Sequence, residues 1–220
     1  ANRSEIAIRV MRAAAELDIA SVAIYSEEDR FALHRFKAAQ AYRIGKGCSP
    51  VQAYLQIDEI VKVAVRSGAD AVHPGYGFLS ESPDFARACI SAGLVFIGPS
   101  PEVMSRLGNK VQARALAQEN HVPVMPATDA LPLDSTAVRT LANAIGYPLM
   151  LKASWGGGGR GMRVIRSDAE LIPMVDIGRR EADTAFGNDE VYLEKLVRRA
   201  RHIEVQVLGD QQGNLVHLFE

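Results

Sequence analysis

Between residues 21 and 97, short apolar runs alternate with helix-patterned stretches, and no other feature of the chain constrains its fold so tightly. Ser21-Val22-Ala23-Ile24-Tyr25 and Leu94-Val95-Phe96-Ile97 are apolar without a period of two, as strands covered on both faces are. Ala71-Val72 reads as a further strand end, leading into the loop His73-Pro74-Gly75-Tyr76-Gly77. The first helix carries Ile6, Val10, Met11, Ala14 and Leu17 on one face. A second is predicted over 51–66, capped by Ser49 with Pro50 in its first position, and a third opens at Ser82-Pro83 and stops at Gly93. Residues 1 to about 100 therefore predict a doubly wound parallel sheet with helices on both faces.

The pattern changes beyond residue 100. Helices are predicted over 109–120 and 135–145, the latter ended by Gly146, and Ser167 with Glu170 reads as a capping box for a helix over 168–185. Strands are predicted at Pro148–Lys152, Met162–Ile165 and Val191–Leu196. Ile203, Val205 and Val207 alternate with polar residues in a half-exposed strand that turns at Gln212-Gly213-Asn214. This second part is α+β with antiparallel pairing. The chain opens at Ala1 and closes inside an apolar strand at Phe219-Glu220, so it reads as a piece of a longer protein, and a targeting segment would lie upstream.

With 25 Lys+Arg against 26 Asp+Glu, the chain lacks the basic excess of a polyanion-binding protein, so no nucleic-acid partner is expected. No apolar run approaches the roughly 20 residues of a membrane span, and no membrane partner is expected. Cys48 and Cys89 are too few for a disulfide framework and suit a reducing compartment.

Four consecutive glycines, Gly156 to Gly159, followed by Arg160-Gly161, lie between two predicted strands. Glycine orders at an entropic cost and adds no packing, so such a run needs a reason. Close approach of backbone N–H groups to an anion such as a polyphosphate supplies one. No helix follows the run and no Gly-Lys-Ser closes it, so it is a hairpin flap rather than a Walker loop; its alternative is a plain surface hairpin. Lys152 ends an apolar strand just before it, where an unpaired charge is costly. At 4 Å two unit charges interact by about 4 kcal/mol at an effective dielectric near 20, against about 1 in bulk water. Lys110 begins a helix, a position that favours an anion beside it. Read alone, either lysine could simply be solvated.

Asn2-Arg3-Ser4-Glu5-Ile6-Ala7, His73 to Glu81, Phe96-Ile97-Gly98-Pro99, Gly108-Asn109-Lys110, Lys152 to Met162, Glu194-Lys195 and Arg201-His202-Ile203-Glu204 together resemble the biotin carboxylase module of the biotin-dependent carboxylases, an ATP-grasp enzyme. The resemblance runs in order along the whole chain. Ser4 stands where the family more usually has Gly, and Trp155 replaces the first glycine of a five-glycine flap. Both variants resemble the multifunctional carboxylases, in which one chain carries several activities.

The resemblance implies a Rossmann-like N-terminal domain over 1–108 and the first part of an ATP-grasp domain over 109–220. It implies ATP, magnesium and bicarbonate, with biotin on a carrier domain. Lys110 and Lys152 would hold phosphates, Gly158 and Gly159 would cover them, and Met162 would lie near the base. The linker strand from Glu194 through Lys195 and Leu196 to Val197 would carry adenine, its edge read by the Glu194 carboxylate and by backbone groups of Lys195 and Leu196. His202 would reach the ribose or phosphates. Taken alone, Glu194-Lys195 is a solvated charge pair and His202 a basic turn. His73 and Tyr76 are either cleft residues at a strand's carboxyl end or parts of a turn.

The implied partners are a biotin carboxyl carrier domain, a carboxyltransferase domain and a second copy of the chain. Arg12 and Glu16 resemble an interface pair, or else form an i, i+4 surface ion pair. The compartment would be cytoplasm, or mitochondrial matrix in a eukaryote. Metal ligands and a catalytic base are expected beyond residue 220. The competing functions are another ATP-grasp ligase of carbamoyl phosphate synthetase type and a non-catalytic nucleotide-binding or dimerisation module.

Overall fold

Helix α1 (Ser4–Glu16) leads into strand β1 (Val22–Tyr25) in a computed structural model that describes residues 1–155 and 162–220. The chain continues through α2 (Leu33–Lys37), β2 (Gln40–Arg43), α3 (Pro50–Ala53), α4 (Ile57–Arg66), β3 (Ala71–Val72), α5 (Pro83–Ser91), β4 (Val95–Phe96), α6 (Pro101–Gly108) and α7 (Lys110–Glu119). These make one packing unit, Ala1–Asn120; a second spans His121–Glu220. In the first unit β1 pairs with β2 and β3 with β4, both in parallel. The parallel α/β class holds, with the strands in two separate ladders instead of one continuous sheet. Ile24, Tyr54, Ile60, Phe85, Cys89 and Phe96 fill the core between them and the helices.

Cap chemistry explains most helix starts. Ser82 and Ser100 each accept a backbone N–H three residues on, with proline in the first helical position. The expected helix over 51–66 is broken: α3 ends at Ala53 and α4 starts at Ile57. The Tyr54 ring is buried at the break, its hydroxyl donating to Asp29 Oδ2 at 2.7 Å and accepting the Ser26 N–H at 3.1 Å. Two such bonds to distant residues outweigh continuation of one helical turn. Leu17 falls outside α1 and is exposed. Arg12 and Glu16 are both exposed, and among the described residues neither pairs with the other.

The second unit holds α8 (Ser135–Ile145), β5 (Leu149–Ala153), β6 (Arg163–Ile165), α9 (Asp168–Phe186), β7 (Val191–Lys195), β8 (Val207–Gly209) and β9 (Leu215–His217). Its antiparallel sheet has the order β6-β5-β7. Leu149, Leu151, Ile165, Val191 and Leu193 pack with Val138 of α8 and Leu171 and Val175 of α9. Because strand side chains alternate, Met150 and Lys152 must face away from those helices.

Two expectations change here. Ser167 makes no side-chain cap; the Glu170 carboxylate instead accepts the N–H of Arg166 at 2.8 Å. The hairpin β8-β9 is antiparallel as expected, but both of its strands are exposed throughout, and 203–206 lie outside them.

Candidate functional site

The sheet face opposite the two helices carries Lys152 and Glu194. Register sets Met150 across from Val164 on one side and from Glu194 on the other, and Lys152 across from Tyr192. Lys152 and Glu194 are thus diagonal neighbours, close enough for long side chains to meet. Lys152 Nζ donates to Glu194 Oε1 at 2.5 Å, with the side chains 24% and 22% exposed. In that setting, removing either partner leaves a largely desolvated charge behind.

Strand β7 is held on both edges. Outside it, Thr128 and Leu131 donate backbone N–H groups to the carbonyls of Leu193 and Val191 at 2.8 and 2.9 Å, and Lys195 N–H donates to Pro126 at 2.8 Å. Inside, Leu196 N–H donates to the Pro148 carbonyl at 3.3 Å. The expected reading of a base by backbone groups of Lys195 and Leu196 therefore loses both N–H donors, and their carbonyls remain. Proline has no N–H, so Pro148 cannot return a bond to Leu196. Among the described residues the N–H of Val197 donates to nothing. The Lys195 ammonium is also committed, donating to the carbonyls of Gly146 and Tyr147 at 2.7 and 3.2 Å, where a cation suits the carboxyl end of α8.

Beside this linker opens a cavity of about 690 Å³ lined by Tyr147, Pro148, Val164, Arg166, Leu196, Val197 and Arg198. Of these, only Leu196 and Val197 were expected at a site. Val164 was legible in principle, because pairing with β5 puts it opposite Met150; Arg166 and Arg198 flank elements and carry no spacing signal.

The other expected residues belong to separate elements. Met162 is exposed just ahead of β6. His202 is exposed, its Nε2 2.9 Å from Glu204 Oε1. Lys110 opens α7 in the first unit, behind Asn109, whose side-chain oxygen accepts the N–H groups of Val111 and Gln112 at 2.9 and 3.0 Å. Gly158 and Gly159 lie outside the described residues. Among the described residues no group of three or more His, Cys, Asp or Glu side chains could hold a metal ion, so no step is assigned to magnesium on this chain.

In the first unit the loop after β3 is locked. Asn2 donates its side-chain amide to the carbonyls of Pro74 and Tyr76 at 2.9 and 2.6 Å, and Phe78 stacks on Tyr54 at 5.3 Å between ring centres. Gly75 has φ +72°, and a Cβ there would sit 2.7 Å from the Asn2 amide nitrogen, so only glycine fits. His73 Nδ1 accepts the Gly75 N–H at 3.0 Å, a turn-building role, whereas the Tyr76 side chain is exposed. Sequence reading missed the network beneath. The Arg3 guanidinium forks onto Asp29, which also takes the Tyr54 hydroxyl; Arg3 and Tyr54 together hold the Asp29 carboxyl below the usual carboxylate range.

Comparison with known proteins bears on both units. Residues 1–104 match the family model of the biotin carboxylase N-terminal domain, and residues 109–220 that of the carbamoyl-phosphate synthase L chain ATP-binding domain. Over its whole length the chain is 56% identical to mitochondrial pyruvate carboxylase of Homo sapiens and 53% identical to pyruvate carboxylase of Bacillus subtilis, spanning 19% of each. It superposes on pyruvate carboxylase of Rhizobium etli with a TM-score of 0.90 at 61% identity, covering 99% of this chain and 19% of that one. On the biotin carboxylase domain of Hydrogenobacter thermophilus 2-oxoglutarate carboxylase, solved as a dimer with MgADP, ADP and bicarbonate, the TM-score is 0.93 at 45% identity, covering 99% and 48%. Two adjoining family matches and identity above half over the full length make one conclusion: the chain belongs to the biotin carboxylase family, joining that family's N-terminal domain to an ATP-grasp ATP-binding domain.

Proposed function

We propose that this chain forms part of the ATP site of a biotin carboxylase working within a pyruvate carboxylase. In that reaction an oxygen of bicarbonate attacks the γ-phosphorus of ATP and ADP leaves. The carboxyphosphate so formed then passes its carboxyl group to a ring nitrogen of biotin, releasing phosphate. Phosphoryl transfer of this kind depends on positioning and charge stabilisation more than on a protein nucleophile. The observation that carries the reading is the Lys152–Glu194 bond, its carboxylate on a strand that runs on into Leu196 and Val197, which line the cavity.

On this reading the domain boundary falls between 108 and 109. Lys110 and Lys152 hold the phosphates, Gly158 and Gly159 close over them, and His202 turns towards the ribose or phosphates. The base lies on Met150 and Val164 near Met162. Its edge meets the Glu194 carboxylate, the carbonyls of Lys195 and Leu196 and the N–H of Val197, which has no acceptor among the described residues. Carrier and carboxyltransferase domains and a second copy of the chain are the partners, in cytoplasm or mitochondrial matrix. The ATP-binding match on 109–220 is shared with carbamoyl-phosphate synthase, but the match on 1–104 favours biotin as acceptor.

The test uses the intact protein. ATP hydrolysis should rise when free biotin is added; no response rejects the carboxylase reading. A hydrogen bond to a charged group contributes about 1.5–3 kcal/mol, so Lys152→Ala should weaken ATP binding about 10- to 150-fold by calorimetry. Equal affinity rejects the placement of phosphates at Lys152.

A further inference from the structure

Lys152 and Glu194, to which the nucleotide reading gives separate tasks, are bonded to each other at 2.5 Å. Both are partly buried, with side chains 24% and 22% exposed, so losing a partner without a replacement is costly to either. An anion drawn to Lys152 alone has to approach the Glu194 carboxylate or pull the ammonium off it. A base presented to Glu194 alone competes with an ammonium already in place. Each half-ligand is therefore opposed by the pair, and each relieves the opposition met by the other.

We propose that the Lys152–Glu194 ion pair couples base recognition to phosphate recognition. Only a ligand with an N–H donor at its base edge and an anion at its other end replaces both partners at once. The exchange suits a 6-amino purine nucleoside polyphosphate. With the exocyclic 6-position set against Glu194, a 6-oxo purine turns a lone pair towards the carboxylate, its N1–H lying one position away, and does not stand in for the ammonium. Met150 and Val164, on the same sheet face, supply the apolar surface against which the purine lies. The inference rests on the nucleotide reading and adds to it that the two halves of the ligand bind cooperatively.

Coupling between two ligands is reciprocal, and 5- to 150-fold is a usual range. The test is calorimetric titration of inorganic tripolyphosphate into the intact wild-type protein, with and without saturating adenosine. Adenosine should tighten tripolyphosphate binding about 5-fold or more, and inosine should not. In Glu194→Gln, tripolyphosphate alone should bind more tightly than to wild type and adenosine should add nothing. Tripolyphosphate affinity indifferent to adenosine, or raised equally by inosine, overturns the coupling. So does an adenosine effect that persists in Glu194→Gln. The wild-type arm needs no variant and so does not depend on a substitution being tolerated. If ATP itself fails to bind, the nucleotide reading falls and takes this with it; if ATP binds while its halves act independently, only the coupling falls.

Discussion

Gly178 lies midway along α9, where helix propensity and tertiary packing demand opposite outcomes from one methyl group. Alanine is about 1 kcal/mol better than glycine inside a helix, so Gly178→Ala should stabilise the second unit if nothing stood nearby. A Cβ at this position would lie 2.4 Å from Leu151 Cδ2 and 3.5 Å from its Cγ, and carbon atoms at rest sit 3.5–4.0 Å apart. Leu151 is fully buried among Leu149, Leu193 and Val175, so its methyl has nowhere to turn. Overpacking of a tight core costs about 1–3 kcal/mol. Set against the propensity gain, the net expectation is a destabilisation of about 1 kcal/mol. Urea titration of wild type, Gly178→Ala, Leu151→Val and the double variant measures it. The double variant should be more stable than the sum of the singles by about 1 kcal/mol or more, because the shortened side chain makes room. If Gly178→Ala alone stabilises by the full propensity difference, α9 does not press on β5 as described. The contact bears on the proposed phosphate site because Leu151 precedes Lys152 on that strand, and a displaced β5 would carry the ammonium with it.

Ser4 holds φ +52°, a left-handed conformation that disfavours L-residues by about 1–2 kcal/mol. Set against the roughly 0.4–1 kcal/mol of unfolded-chain entropy that glycine brings, Ser4→Gly should stabilise the first unit by about 0.5–1 kcal/mol in thermal unfolding, and a loss of stability would refute the strain. Acid should weaken the same unit in two stages. Burial holds the His34 imidazole below its ordinary pKa, with Nε2 3.1 Å from the Ile24 carbonyl and Nδ1 accepting the Ser4 N–H at 3.3 Å. The unfolded chain then binds the proton more readily, so stability present above about pH 6.5 is lost as pH falls through the folded value. Asp29, whose pKa is lowered first by its bond to Arg3, adds a further loss below about pH 4. The stability advantage of wild type over His34→Gln should shrink between pH 7.5 and 5; a constant difference in urea midpoints would exclude His34 as the cause.

Much of the architecture was legible because its causes are local. Gly146 and Gly93 end helices where expected, and the Ser-Pro pairs at 49–50 and 82–83 open them. Ser100-Pro101 carries the same signature before α6 and could have been read. What failed were inferences needing a distant partner. The periodicity over 51–66 contains no hint that Tyr54 would leave the helical path to reach Asp29 and Ser26. Glu170 had two candidate N–H groups one residue apart, and residue spacing alone does not choose Arg166 over Ser167.

The candidate site divides in the same way. Residue types and order along the chain were enough to expect parallel α/β followed by antiparallel α+β, and motif order was enough to expect the family, whose likeness alone singled out the linker at Glu194. Propensity, capping and motif spacing act between near neighbours, so the linear chain carries them whole. That Lys152 and Glu194 hold one another across 42 positions, that Lys195 is consumed by the end of α8, and that the Val197 N–H donates to nothing among the described residues, all follow from strand register. Register is decided by which faces bury apolar area against α8 and α9, a property of the assembled core that no single stretch of sequence contains.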